Sequence, residues 1–187
     1  MPPAAKPKSA PRRARSKVVV RGNRGVKIVR ACTIRRPAAE LYQFWKNPEN
    51  LVRLVKHPVT ITRRSETESH WSVSAPAGKR VEWDALVIND EPEALIAWRS
   101  REGGDVDNAG SVRFEPAPGG EGTEVTVALE YNPPGGKLGA LIAKLTGDAA
   151  EQQVADALRN FKALMEAGEI PTTAGQPVGN PQRKRKK

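Results

Sequence analysis

Cysteine, histidine and tyrosine are scarce in this sequence, with one, two and two among 187 residues. Cys32 alone cannot close an intramolecular disulfide or build a thiolate zinc site, which excludes a disulfide-stapled secreted scaffold. His57 lies 25 residues after Cys32 and 13 before His70, a spacing that points to no metal site. No stretch approaches the ~18 consecutive apolar residues of a membrane-spanning helix. The N-terminus also lacks the apolar centre of a secretory signal, since charge and proline separate Ala4, Ala10 and Val18–Val20. The cytoplasm is therefore the expected compartment. No serine sits in a glycine elbow, and no phosphate-cradling Gly-Lys-Ser/Thr motif occurs, so no cofactor is expected.

Acidic residues are missing from both ends. Residues 1–24 carry eight basic side chains and residues 171–187 carry five, with no carboxylate in either stretch. The net charge is +10, so residues 25–170 are left at −3. The basicity belongs to the ends, which disfavours a folded nucleic-acid-binding surface. Both ends are rich in Pro, Ala, Gly, Lys and Arg, a composition too polar to offset the entropy of ordering. They read as disordered tails flanking one folded domain over 25–170, of about 145 residues. A domain of that size buries about two thirds of its unfolded-chain surface. Thirteen flexible cations can meet nucleic acid or an anionic membrane in a salt-dependent way, with Arg12, Arg13, Arg15, Lys17, Arg183, Lys184, Arg185, Lys186 and Lys187 as the candidate contacts. They can equally serve solubility alone.

Between the tails the hydrophobic period changes repeatedly. Val26 to Ile34 reads as a strand, and Leu41, Phe44 and Trp45 at i, i+3 and i+4 predict a short helix entered at Pro37. A second short helix is expected from Pro48 to about Val55. Six strand-length segments follow: 59–65, 68–75, 80–88, 94–99, 111–115 and 124–131. Their gaps read as turns, including Asn89-Asp90-Glu91-Pro92, Gly103-Gly104, Asn108-Ala109-Gly110 and Pro118-Gly119-Gly120. Short gaps imply antiparallel neighbours. Alternation puts Trp71, Trp83, Trp98, Val112, Phe114 and Val127 on one face, and Glu82, Asp84, Arg99 and Arg113 on the other. Leu86 and Ile88 break the pattern, which a bulge or an oligomer contact would explain. Leu138, Leu141, Ile142 and Leu145, then Val154, Leu158, Phe161 and Met165, form one helical stripe ending at Gly168, with a bend at Gly147-Asp148.

This order, β-α-α-β6-α, is an α+β domain in which a long C-terminal helix covers a curved antiparallel sheet. Such a sheet and one helix cannot touch everywhere, and the space left over is a cavity. The tryptophans on the apolar face are then either core filler or pocket wall. Candidate cavity residues are Trp71, Trp83, Trp98, Phe114, Tyr131, Leu141, Leu145, Leu158, Phe161 and Met165. Tyr42 can present a hydroxyl to a ligand. Glu82 and Arg99 can do so only if a bulge turns them inward; otherwise they pair on the wet face, worth about 0–1 kcal/mol. Cys32 reads as a small buried hydrophobe, and no catalytic residue stands out.

Four stretches carry a family resemblance: CTIRRPAAELYQFWKNPENLVRLVKHPVTI (32–61), WSVSAPAGKRVEWDALVINDEPEALIAWRS (71–100), GSVRFEPAPGGEGTEVTVALEYNPPGGKLG (110–139) and ALRNFKALMEAGE (157–169). They resemble the bacterial SRPBCC proteins of the cyclase/dehydrase, or polyketide-cyclase-like, type within the START/birch-pollen-allergen-like superfamily. The likeness covers about residues 26–169 and neither tail. It implies a helix-grip fold of about seven strands enclosing a hydrophobic cavity. The expected function is binding of a lipid, quinone or aromatic polyketide-like molecule. Two alternatives stay open: a cyclase or dehydratase using the same cavity, and an adaptor or nucleic-acid-associated protein acting through its tails.

Overall fold

A computed structural model describes residues 25–56, 58–74, 78–132 and 148–171. Strand β1 (Val26–Ile34) leads into helix α1 (Ala38–Lys46) and then a 3-10 helix (Pro48–Leu54). Strands β2 (Val59–Arg63), β3 (Glu68–Ser74), β4 (Arg80–Glu91), β5 (Leu95–Ser100), β6 (Asp107–Pro116) and β7 (Thr123–Asn132) follow, and helix α2 (Asp148–Ala167) comes last. The seven strands form one antiparallel sheet in the order β1-β7-β6-β5-β4-β3-β2. Curving round the helices, this sheet gives the expected α+β helix-grip fold.

Local chemistry sets the element ends. Asn47 separates the two short helices, its side-chain oxygen accepting from the Glu49 amide at 3.2 Å. That second helix, opened by Pro48, is 3-10 rather than α. Helix α2 closes where Gly168, at φ 80°, donates its amide to the Leu164 carbonyl at 2.9 Å. Only glycine adopts that left-handed cap without strain. At 20 residues the described part of α2 is about 30 Å long. The first half of the expected helical stripe, with Leu141 and Leu145, lies outside the described residues, as do His57 and both tails.

Two of the expected turns are strand. Asn108-Ala109-Gly110 has turn composition, yet all three residues belong to β6 and pair with Tyr131, Glu130 and Leu129 of β7. Gly110 serves packing: a Cβ there would stand 2.4 Å from Cζ2 of Trp98. Likewise β4 runs through Asn89 and Asp90 to Glu91, because its pairing with β5 resumes after a register shift between Val87 and Asn89. The shift leaves Ile88 bulged outward and 48% exposed, whereas Leu86 precedes it and stays in register opposite Arg99, so the bulge explains only Ile88 of the two exceptions to alternation.

The core gathers where α1, the C-terminal half of α2 and the middle of the sheet meet. Leu41, Val112, Val125 and Phe161 are buried there with almost no exposure. Phe161 meets the ring of Phe44 at 5.0 Å and that of Trp45 edge-on at 5.8 Å. Polar contacts hold this end of the helix down. Arg36 Nε donates to the Met165 carbonyl at 2.8 Å, the Arg35 amide donates to Glu166 at 2.8 Å, and Lys162 donates to the Thr33 carbonyl at 2.6 Å. A guanidinium at the last turn also suits the negative end of the helix dipole. The Arg36-Pro37-Ala38 segment thus joins α1 to the end of α2.

Candidate functional site

The two halves of α2 are used differently. Phe161 and Leu164 are buried in the core, whereas Ala150, Gln153, Val154, Ala157 and Leu158 border a cleft of about 330 Å³. Its sheet wall comes from Trp71 on β3, Trp83 and Ala85 on β4, Trp98 on β5, Asn108 on β6, and Val127, Leu129 and Tyr131 on β7. Trp45 of α1 and Leu51 and Leu54 of the 3-10 helix close one side. Both ends of the described α2 are tied to β1: Arg30 pairs with Glu151 near its start, and Lys162 donates to the Thr33 carbonyl near its end.

Tryptophan dominates the wall. Trp71 and Trp83 are direct cross-strand partners, their rings stacked at 5.7 Å with 17° between planes. Trp71 Nε1 donates to Ser69 Oγ at 3.0 Å, which satisfies its one polar group. Trp98 lies over Gly110 on the neighbouring strand. All three indoles point to the inner face, yet all are only half-buried. Filler tryptophans would be enclosed, so the exposure distinguishes wall from core. Trp45 differs: its Nε1 is buried without an acceptor among the described residues.

Polar chemistry in the lining is sparse. Asn108 and Tyr131 pair across β6 and β7, and Gln153 joins them from α2. The Asn108 side chain is buried and has no hydrogen-bond partner among the described residues, although its amide N–H donates to Ser100 Oγ at 2.9 Å. Its polar atoms are not sealed from solvent, so they open on the cleft. No carboxylate, imidazole, ammonium or guanidinium belongs to the described lining.

A narrower recess of about 80 Å³ shares Trp45, Leu51, Trp71, Ala85 and Trp98 with the cleft and extends towards Asp90 and Lys46. Here Tyr42 donates its hydroxyl to Asp90 at 2.6 Å, and Lys46 pairs with the other carboxylate oxygen. Burial acts to raise the Asp90 carboxyl, but the hydrogen bonds from Lys46 and Tyr42 outweigh it and hold it below the ordinary carboxylate value. Burial, then the bond to Asp90, pushes the Tyr42 phenol up. The cluster ties α1 to the strand just beyond the bulge.

Several expected positions fall elsewhere. Glu82 and Arg99 are exposed on the convex face, where Glu82 accepts from Ser72 Oγ at 2.9 Å. The bulge that would turn them inward exists, but at Ile88, beyond Glu82 on β4 and on a different strand from Arg99. Tyr42 is buried with its hydroxyl engaged by Asp90, edge-on to Phe114, and does not line the cleft. Phe114 and Phe161 are core, and Met165 packs against it. His70 meets Asp84 at 2.8 Å on the convex face. Cys32 is half-buried on the inner face, its thiol 4.0 Å from the Leu158 carbonyl. Among the described residues no group of His, Cys, Asp and Glu could hold a metal, and no helix is long and apolar enough to cross a membrane.

Trp45, Leu51, Leu54, Asn108, Val127, Leu129 and Gln153 line the cleft without having been singled out in the sequence. Alternation already places Val127 and Leu129 on the right face. Asn108 was hidden by its turn-like neighbours.

Residues 34–159 match the family model described as polyketide cyclase / dehydrase and lipid transport. DR_A0006 from Deinococcus radiodurans is 37% identical and superposes with a TM-score of 0.63 over 76% of this chain and 98% of its own. TTHA0849 from Thermus thermophilus is 24% identical, with a TM-score of 0.59 over 76% of this chain and 99% of its own. The di-domain ARO/CYC StfQ from the steffimycin biosynthetic pathway is 13% identical, with a TM-score of 0.55 over 77% of this chain and 52% of its own. The last two likenesses concern the fold alone. No curated protein matches the sequence.

Proposed function

Because the chain belongs to the polyketide cyclase / dehydrase and lipid transport family, we propose that it binds a small hydrophobic molecule in the cleft between α2 and the sheet. The observation that carries this reading is the wall of half-buried indoles around about 330 Å³ of apolar space. That volume is at the small end of ligand pockets, and its mixture of aromatic surface and few polar groups is what such pockets present. Trp71, Trp83, Trp98, Tyr131 and Leu158 are the proposed contacts. A lipid, a quinone or an aromatic polyketide-like molecule offers the matching surface.

A holding role is favoured over acid–base chemistry. A cyclase or dehydratase needs a group that moves a proton within reach of the ligand. Tyr131 is the one titratable side chain in the described lining. Native mass spectrometry of gently purified protein, followed by extraction, tests the binding reading. A co-purifying apolar molecule is expected. A ligand-free protein that also fails to enhance the fluorescence of N-phenyl-1-naphthylamine overturns it.

The domain proposed to do this spans 25–170 in the cytoplasm, and the basic tails are proposed to tether it to an anionic partner. The observation favouring tethering is the placement of 13 cations outside a domain of net charge −3. Retention on heparin and on anionic vesicles is expected to fall when the chain is cut to 25–170, and to weaken with salt. Equal retention of both forms would reject tethering.

A further inference from the structure

We propose that the cleft selects an uncharged aromatic molecule carrying one carbonyl or hydroxyl group, and that Asn108 is the residue that reads this group. The inference deepens the binding reading above and rests on it. The described lining contains no formal charge, so an ionised ligand would lose its hydration without gaining a counter-charge. Of the charged groups of the adjoining recess, Lys46 pairs with Asp90 and Glu68 with Arg101, and Glu66 is exposed to solvent. Stacked Trp71 and Trp83, with Trp98 beside them, offer flat π surface suited to a planar ring system.

The polar end is set by a single group. Asn108 is 7% exposed, and its carboxamide faces the cleft with no partner among the described residues. Those polar atoms open on the cleft, where water can meet them, so a ligand that displaces the water must replace its hydrogen bonds or leave the amide unpaired. A carboxamide both donates and accepts, which suits a carbonyl or a hydroxyl and gives no advantage to an anion. The strand holds the group in place: Asn108 pairs with Tyr131, and its own backbone N–H is fixed by Ser100 Oγ. A ligand lacking the polar group leaves the amide unpaired, and that is how a site of this kind discriminates.

Three probes of one ring size separate the possibilities: naphthalene, 2-naphthol and 2-naphthoate, titrated at neutral pH against the full chain by tryptophan quenching. Wild type is expected to bind 2-naphthol about tenfold or more tighter than either of the others, the worth of one good hydrogen bond to a buried amide. Asn108→Leu is expected to keep naphthalene affinity and lose the preference for naphthol. The side-chain amide resonances of Asn108 in wild type need no variant. They are expected to shift with naphthol and not with naphthalene, which covers a variant that does not fold. If 2-naphthoate binds as tightly as 2-naphthol, or naphthol is preferred without Asn108, the inference fails while the binding reading stands. If none of the three binds, the inference fails, and the binding reading is decided by the co-purified ligand and the N-phenyl-1-naphthylamine assay.

Discussion

The indole of Trp98 lies across Gly110 on the neighbouring strand so closely that a Cβ at position 110 would stand 2.4 Å from Cζ2 and 2.8 Å from Cε2. The same hypothetical atom would be 2.9 Å from the Ala128 carbonyl oxygen, so neither neighbour can yield alone. Gly110 therefore fixes Trp98 against the sheet and keeps that part of the cleft open. Gly110→Ala is expected to destabilise the fold by about 1–3 kcal/mol, the usual cost of overpacking, measured by urea unfolding. Pairing it with Trp98→Leu should restore only the part of the loss due to the indole, since the Ala128 carbonyl contact remains. Wild-type stability for Gly110→Ala alone would mean that the ring shifts freely.

Trp71 and Trp83 form the other aromatic unit of the wall. Their offset stack at 5.7 Å predicts a coupling of about 0.5–1.5 kcal/mol beyond the area each buries. A double-mutant cycle with Trp71→Leu and Trp83→Leu measures it in urea. Additive losses would show two independent side chains and a wall less rigid than the stacking implies.

The fold was legible because its signals are local and agree with one another. Pro and Gly clusters separate short β-branched runs, and Leu158, Phe161 and Met165 keep one helical stripe to Gly168. What escaped depends on contacts distant in sequence. Gly110 reads as a turn residue until Trp98 is placed over it, and misreading it removed Asn108 from the inner face. Parity assigned Phe114 and Trp98 to one face correctly, but it cannot say how far α2 stands from the sheet at each. That distance is set by contacts distant in sequence along the helix, from Arg30 with Glu151 near its start to Arg36 and Lys162 near its end. Hence Phe114 became core and Trp98 became wall.

Asp90 links the folded state to pH. Burial works against its charge, but the bonds from Lys46 and Tyr42 leave its carboxyl below the ordinary value. The unfolded chain, with the higher carboxylate pKa, then takes up the proton first as pH falls. The contribution is present above the ordinary carboxylate value and is lost as pH drops through the folded one. Wild type is expected to lose more stability than Asp90→Asn between about pH 6 and pH 3, followed by urea midpoints. Parallel profiles would remove Asp90 from the acid response.

Cys32 offers a measure of how firmly α2 is seated. Its thiol is half-buried beneath the helix, 4.0 Å from the Leu158 carbonyl. Burial pushes its pKa up, with Lys162 acting to lower it and Glu166 to raise it. Both the scarcity of thiolate and the covering helix slow alkylation. At pH 8 the native thiol is expected to react with iodoacetamide about tenfold or more slowly than in urea. Arg36 donates to the Met165 carbonyl at 2.8 Å and so clamps the last turn. Arg36→Ala is expected to speed alkylation in native buffer more than it lowers global stability, because it frees one end of α2 first. Alkylation that follows global stability alone would mean that the helix and the sheet open together.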